Sequence, residues 1–217
     1  MPAIIAFFDM DYTTLDTSSG LLYVKYLRRQ GRIGRRVLLR IAWWTLLYKV
    51  SAIDVNSAVP KMLSYAEHQS ASRLMAESYV WFDEMLKDHI APRAVDKIDF
   101  HRQQDHRVAL ISASTQFAVQ PVAEYLHLDF LCTRLIDRDD ELTGQVVDPP
   151  CYGAGKVVWA QRYADEHGAD LRDAYLYTDS HSDQPLLAVV GHPIAVNPDA
   201  RLKRLARKRG WPIERFY

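Results

Sequence analysis

At 217 residues, with 48% hydrophobic and 25% charged side chains, the chain is long enough for one α/β domain with a sizeable insertion, or for two small domains, and has the composition of a globular protein, not a disordered or fibrous one. Lys plus Arg and Asp plus Glu each number 27, so there is no global field to recruit nucleic acid or an acidic partner. Two cysteines, Cys132 and Cys151, and an N-terminus without a basic leader exclude a disulfide scaffold and a secretory signal, and point to a cytoplasmic protein.

The first element is the apolar run Ala3-Ile4-Ile5-Ala6-Phe7-Phe8. It has no alternating polar face, which predicts a strand buried on both sides in a parallel sheet. It runs into Asp9-Met10-Asp11-Tyr12-Thr13-Thr14, so two carboxylates stand just beyond a strand's carboxyl end, where open α/β sheets bind ligands. A turn after Asp9 lets both side chains flank one small site while the intervening amides point into it. A divalent cation beside Asp9 would keep it ionised and leave Asp11 as the proton carrier, so a nucleophile and an acid/base group stand two residues apart. Taken alone, the same pair also fits an Asx-turn at a strand end.

From residue 18 the period becomes helical. Ser18 or Ser19 is the predicted N-cap of a helix that runs to Arg29 and stops at Gly31. Further helices are predicted at about 35–49, 53–65, 71–88 and 92–104, with no convincing strand between 18 and 91. This is an all-helical insertion after the first strand. Trp43, Trp44, Tyr48, Trp81 and Phe82 predict a helix-bundle core, while Arg28, Arg29, Arg32, Arg35, Arg36 and Arg40 beside them also suit contact with an anionic membrane. The most apolar window, 37–50, falls short of the ~20 residues of a bilayer span and contains Arg40.

The second strand, 107–112, ends in Ser112-Ala113-Ser114-Thr115 and brings hydroxyls and amides to the ligand side of the sheet, although the same residues make an ordinary helix cap. A strand at 129–133 and a hairpin over 134–146 follow. Lys156 opens a helix running to about 167; the helix dipole disfavours a cation there unless something negative sits beside it. The strand 174–178 then delivers Asp179 and Asp183, oxygen ligands of the kind a hard cation takes. His181 lies between them without a second His or Cys at ligand spacing, which argues against a transition-metal role. A short strand at 193–197 and a basic helix at 199–209 close the chain. That helix reads as a solvated face, with no nucleic acid as partner.

Asp9-Met10-Asp11-Tyr12-Thr13, Ser112, Lys156 and the Asp179/Asp183 pair, in this order, resemble the signature of the haloacid dehalogenase superfamily. The helical insertion, with the segments 110–114, 150–153 and 191–198, resembles its phosphoserine-phosphatase-like branch, the subfamily IB hydrolases. The resemblance implies an α/β fold, a Rossmann-like mostly parallel sheet flanked by helices, with a small β-hairpin. Residues 1–17 and 92–217 would form the catalytic core and 18–91 the helical cap. It also implies a Mg2+-dependent phosphomonoesterase acting on a small phosphorylated metabolite.

By the same resemblance, Asp9 attacks phosphorus to form an aspartyl-phosphate and Asp11 is the acid/base. Ser112, Lys156 and the main chain of Met10 and Asp11 hold the phosphoryl group, and Thr13 braces the loop. Asp9, the main-chain carbonyl of Asp11, Asp179 and Asp183 hold Mg2+. An acid two residues after the nucleophile favours phosphatase over dehalogenase, because an alkoxide leaves poorly. Ser18 occupies the position of a glutamate that meets the substrate ammonium group in phosphoserine phosphatases, which argues against phosphoserine; similarity to histidinol-phosphate phosphatases remains. Tyr12 and Thr14 also depart from the branch pattern. Two alternatives stand beside this reading: the same chemistry on a lyso-phospholipid at the membrane surface, and a non-enzymatic phosphate-dependent binding protein.

Overall fold

A computed structural model describes residues 3–34 and 67–217 of the chain. The strands are β1 (Ile5–Phe8), β2 (Arg107–Thr115), β3 (Asp129–Thr133), β4 (Leu135–Arg138), β5 (Glu141–Val146), β6 (Tyr175–Thr178), β7 (His192–Val196) and β8 (Ile213–Glu214). Six of them form a parallel sheet in the order β3-β2-β1-β6-β7-β8, and β4 with β5 forms an antiparallel hairpin. This is the α/β architecture that the sequence predicts. The two-residue β8 carries too short a pattern to be read from sequence.

Burial on both faces explains the uninterrupted apolar runs. Along β1, Ala6 and Phe8 enter one core while Ile5 and Phe7 enter the other. Val108 and Leu110 of β2 follow the first pair, and Ala109 and Ile111 follow the second. Period-two geometry thus needs apolar residues at every position. Phe8 also stacks on Tyr177 of β6, with ring centroids 4.4 Å apart.

The order of the strands decides where ligands go. From β1 the chain passes to β2 and β3 on one side, then returns to β6 on the other. The carboxyl end of β1 is therefore a topological switch point, where neighbouring loops diverge and open a crevice.

The described helices are α1 (Ser19–Arg29), α2 (Ala71–Trp81), α3 (Pro92–Gln103), α4 (Gln116–Tyr125), α5 (Ala154–Glu166), α6 (Gln184–Leu187) and α7 (Ala200–Arg209). Ser18 caps α1, its hydroxyl accepting from Leu21 N at 3.4 Å. The helix predicted over 71–88 stays regular only to Trp81 and continues as a widened turn, Phe82–Leu86. A wider turn rotates less per residue, which helps Trp81, Phe82 and Leu86 all to face the core. The helices predicted at 35–49 and 53–65, with Trp43, Trp44, Tyr48, Arg35, Arg36 and Arg40, lie outside the described residues.

Where the chain leaves and rejoins the sheet at either end of the insertion, the two segments run side by side. Leu15 bridges Ile90, Asp16 N donates to His89 O at 2.9 Å, and Ala91 N donates to Thr14 O at 2.9 Å. A second tie joins the insertion to the hairpin, where the Asp140 carboxylate accepts from Ser70 Oγ at 2.6 Å and Ser72 N at 2.7 Å. Leu22, Tyr26, Trp81 and Leu86 share one apolar cluster with Phe8 and Leu110, so α1 and α2 pack into the same core as one face of the sheet. On α7, Leu202 and Ala206 are buried and its basic residues are exposed, as the amphipathic pattern predicts. No helix among the described residues is long and apolar enough to cross a membrane.

Gly155 at the start of α5 lies so close to the preceding loop that a Cβ there would fall 2.0 Å from Pro150 O. The obstacle is backbone and cannot rotate away. Gly155→Ala is expected to lower stability by about 1–3 kcal/mol in urea denaturation, the usual range for overpacking; an unchanged midpoint would refute the close approach.

Candidate active site

Asp9 begins the loop at the end of β1 while still held by the sheet, its N–H donating to Tyr177 O at 2.9 Å. The chain then turns sharply. Asp11 is extended and Tyr12 is left-handed, with φ 56° and ψ 10°, a conformation of order 1–3 kcal/mol above the ordinary wells for a non-glycine residue. Thr14 closes the turn, donating to Asp9 O from its N–H at 3.2 Å and its hydroxyl at 2.7 Å. This corrects the expectation that Thr13 braces the loop by hydrogen bonding. The Thr13 hydroxyl is buried with no hydrogen-bond partner among the described residues, because the left-handed turn swings the next side chain, not Thr13, back over Asp9.

Lys156 reaches this loop from the first turn of α5. Only 2% exposed, its Nζ donates to Asp9 Oδ1 at 2.8 Å and to Asp183 Oδ2 at 2.7 Å. The Thr178 hydroxyl donates to the same Asp183 oxygen at 2.7 Å. Burial works against the ammonium, but Asp183 and Asp9 outweigh it and raise its pKa. One cation does not balance the acids around it. Burial, with Asp183 and Asp11 adding to it against the pull of Lys156, pushes Asp9 up to about 7. Burial together with Asp9 and Asp183 pushes Asp179 up to about 8.

Asp11 faces away from the lysine and into hydroxyls. Its Oδ1 accepts from Ser19 N at 2.9 Å, and its Oδ2 accepts from Ser19 Oγ at 3.1 Å and Ser114 Oγ at 3.4 Å. Burial raises its pKa against these bonds. Ser112 Oγ accepts from Ser114 N at 3.2 Å. The structure therefore brings Asp9, Lys156 and Asp183 into direct contact, with Asp179 near enough to repel Asp9. Asp11 and Ser112 lie on the two sides of Ser114, and the Met10 side chain is core. Sequence reading placed Ser114 among the hydroxyls on the ligand side of the sheet, took Ser19 only as a cap candidate and Thr14 only as a departure from the branch pattern, and gave Thr178 no role beyond its strand.

Among the described residues, no three His, Cys, Asp or Glu side chains stand together in a metal-holding group. Lys156 is shared between Asp9 and Asp183 and Asp11 is bonded by the serines, so with Asp179 alongside, three carboxylates stand around one ammonium. Oxygen donors with excess negative charge fit a hard divalent cation better than a softer metal. His181 is tied through its N–H to Asp199 Oδ2 at 2.8 Å. At the rim, the Tyr217 phenol donates to Tyr12 O at 3.1 Å, and burial with Asp179 and Asp16 pushes it up to about 12.

The chain matches the haloacid dehalogenase-like hydrolase family over residues 6–188. A probable phosphatase of Mycobacterium tuberculosis is 33% identical over 216 residues, spanning 97% of this chain and 75% of that protein. A histidinol-phosphatase of Neisseria meningitidis serogroup C is 27% identical and is covered over 98% of both chains. Among solved structures, a protein of unknown function from Bordetella pertussis Tohama I has a TM-score of 0.90 at 28% identity over 100% of both chains. A phospho-aspartyl intermediate analogue of phosphoserine phosphatase shares the fold, with a TM-score of 0.72 at 18% identity over 100% of this chain and 95% of that one. With the match running from the first strand through the helix that follows Asp183, the chain belongs to the haloacid dehalogenase-like hydrolase family.

Proposed function

We propose that this hydrolase is a Mg2+-dependent phosphomonoesterase that works through an aspartyl-phosphate on Asp9. The observation that carries the reading is the Asp9 carboxylate at the switch point of the sheet, held through Oδ1 by a buried lysine, with a second carboxylate, Asp11, two residues away in a separate hydroxyl cradle. The phosphatase names of its relatives support the ester class.

Asp9 attacks phosphorus and the bond to the leaving oxygen breaks, splitting one hard displacement into two. Asp11 gives its proton to the departing alkoxide, then takes one from the water that cleaves the aspartyl-phosphate and frees phosphate. Its burial favours the protonated form that the first step needs. Lys156 has three donors and spends two on Asp9 and Asp183, which leaves one N–H for a phosphoryl oxygen. The Ser112 hydroxyl, accepting from Ser114 N, keeps its own proton for another. The main-chain amides of Met10 and Asp11 complete the cradle. Asp9, Asp179 and the main-chain carbonyl of Asp11 would hold Mg2+, with Asp183 contributing through water or by orienting Lys156. Once bound, the ion supplies positive charge to the carboxylates and phosphoryl oxygens.

Residues 18–91 are the proposed cap that selects a small phosphorylated metabolite. The lyso-phospholipid alternative rests on an arginine and tryptophan run that lies mostly outside the described residues. The binding-protein alternative gives way to membership in a hydrolase family. Cys132 and Cys151 are free and buried, which supports a reducing, cytoplasmic location.

Asp9→Asn is expected to abolish turnover of an aryl phosphate, by about a thousandfold or more, with an unchanged circular-dichroism spectrum; EDTA should do the same to the unmutated protein, reversed by Mg2+. Retained turnover in the variant would remove Asp9 as nucleophile. The raised carboxylates also set a pH dependence. Asp9 and Asp179 bind protons more tightly folded than unfolded, so without a divalent cation stability should fall as pH rises from about 4 through about 7 and 8. Melting temperatures in EDTA should drop between about pH 5 and about pH 8, and Mg2+ should raise the higher-pH value more. Equal Mg2+ effects at both pH values would contradict this cation site.

A further inference from the structure

Residues 211–217 bring the chain back from α7 to the carboxyl end of the sheet. Ile213 and Glu214 pair with Ala195 and Val196, and Asn197 N donates to Glu214 O at 3.0 Å. Asn197 Oδ1 accepts from Phe216 N at 3.2 Å, and the Phe216 ring is buried at 3% exposure. These contacts fix the position of the next residue. Tyr217, a residue 52% exposed, donates its phenol to Tyr12 O at 3.1 Å across 205 positions of sequence.

The accepting peptide is the strained one. Tyr12 keeps a left-handed conformation that a non-glycine residue holds only where its surroundings impose it. Its N–H donates to Thr17 O at 3.1 Å, and its carbonyl accepts from the Tyr217 phenol. Both tyrosines also feel the Asp179 carboxylate, so the phenol stands beside the second acidic strand end. Tyr217 is half exposed as a residue, yet it directs its hydroxyl at the main chain of the site loop.

We propose that Tyr217 is a positioning residue for the phosphatase reaction: by holding the carbonyl of the left-handed Tyr12, it sets the angle at which the Asp9–Asp11 loop meets the phosphoryl group. The inference rests on the phosphomonoesterase reading and adds a member that the four sequence motifs do not contain.

The test is Tyr217→Phe, which keeps the ring and removes one hydrogen bond, assayed with Mg2+ on an aryl and an alkyl phosphate. One such bond corresponds to roughly a fivefold to tenfold rate effect. Expected is a kcat lower by about that factor on both substrates, with KM within about twofold and a melting temperature within about 2 °C. An unchanged kcat overturns the inference while leaving the phosphatase reading in place. So does a rise in KM comparable to the loss in kcat, which would make the phenol a substrate contact, or a rate loss that follows a lowered melting temperature. An unmutated protein that turns over no phosphate ester overturns the phosphatase reading and this inference with it.

Discussion

Lys156 is sealed from water between Asp9 and Asp183, and much of the architecture around it exists to make that tolerable. Removing three charged groups from water costs several kcal/mol for each ion, which close, well-aligned bonds can offset. Each bond therefore depends on a backbone feature some way off. Gly155 lets α5 start against Pro150 so that its first turn reaches the sheet, and the Thr178 hydroxyl fixes the Asp183 oxygen that Lys156 must meet. The charges still do not cancel. Two carboxylates on one ammonium leave a net negative pocket, and Asp179 and Asp11 deepen it. A site built this way stores an affinity for positive charge. On the proposed reading, that is what would let a cation and a phosphate meet at this ion pair.

The two carboxylates of the opening motif draw on different parts of the molecule. Asp9 is fixed by the sheet and by α5, through Tyr177 O at its main chain and Lys156 at its side chain. Asp11 takes two of its hydrogen bonds from Ser19, at the start of α1, and one from Ser114 at the end of β2. Two residues apart in sequence, both are extended, and their side chains meet different neighbours before the chain turns at the left-handed Tyr12. This separation lets one group stay bonded to a cation while the other sits where its proton is favoured.

Most of the sheet was legible because β1 and the central parts of β2, β6 and β7 are apolar and buried, a pattern that local sequence alone produces. β3 matches its predicted span, and the hairpin turn carries Asp139 and Asp140 at positive φ, as its acidic, turn-prone sequence suggests. Asp9, Lys156 and Asp183 were legible as acids and a lysine at strand and helix ends. What sequence could not show is which hydroxyl serves which carboxylate. Thr13 and Thr14 are equivalent on paper, and only the turn at Tyr12 decides that Thr14 faces Asp9 O. Ser19 was equally a cap candidate until Ser18 took that role and freed it for Asp11. Tyr217 carries no local signal at all, since its partner is 205 residues away.

The ends of the insertion are tied directly to the site loop. Its first helix begins at Ser19, and it leaves and rejoins the core through the paired segments at Leu15 and Ile90, immediately after the loop that carries Asp9 and Asp11. Thr14, which closes that loop over Asp9, accepts at its own carbonyl from Ala91 N as the chain returns to the core. A displacement of α1 would thus be felt first at Asp11, through the loss of two donors, while Asp9 would keep Lys156 and its place in the sheet. On the proposed mechanism, whatever orders the insertion around a substrate would set Asp11 as proton carrier and leave Asp9 as nucleophile fixed, and substrate selection and acid catalysis would share one mechanical connection.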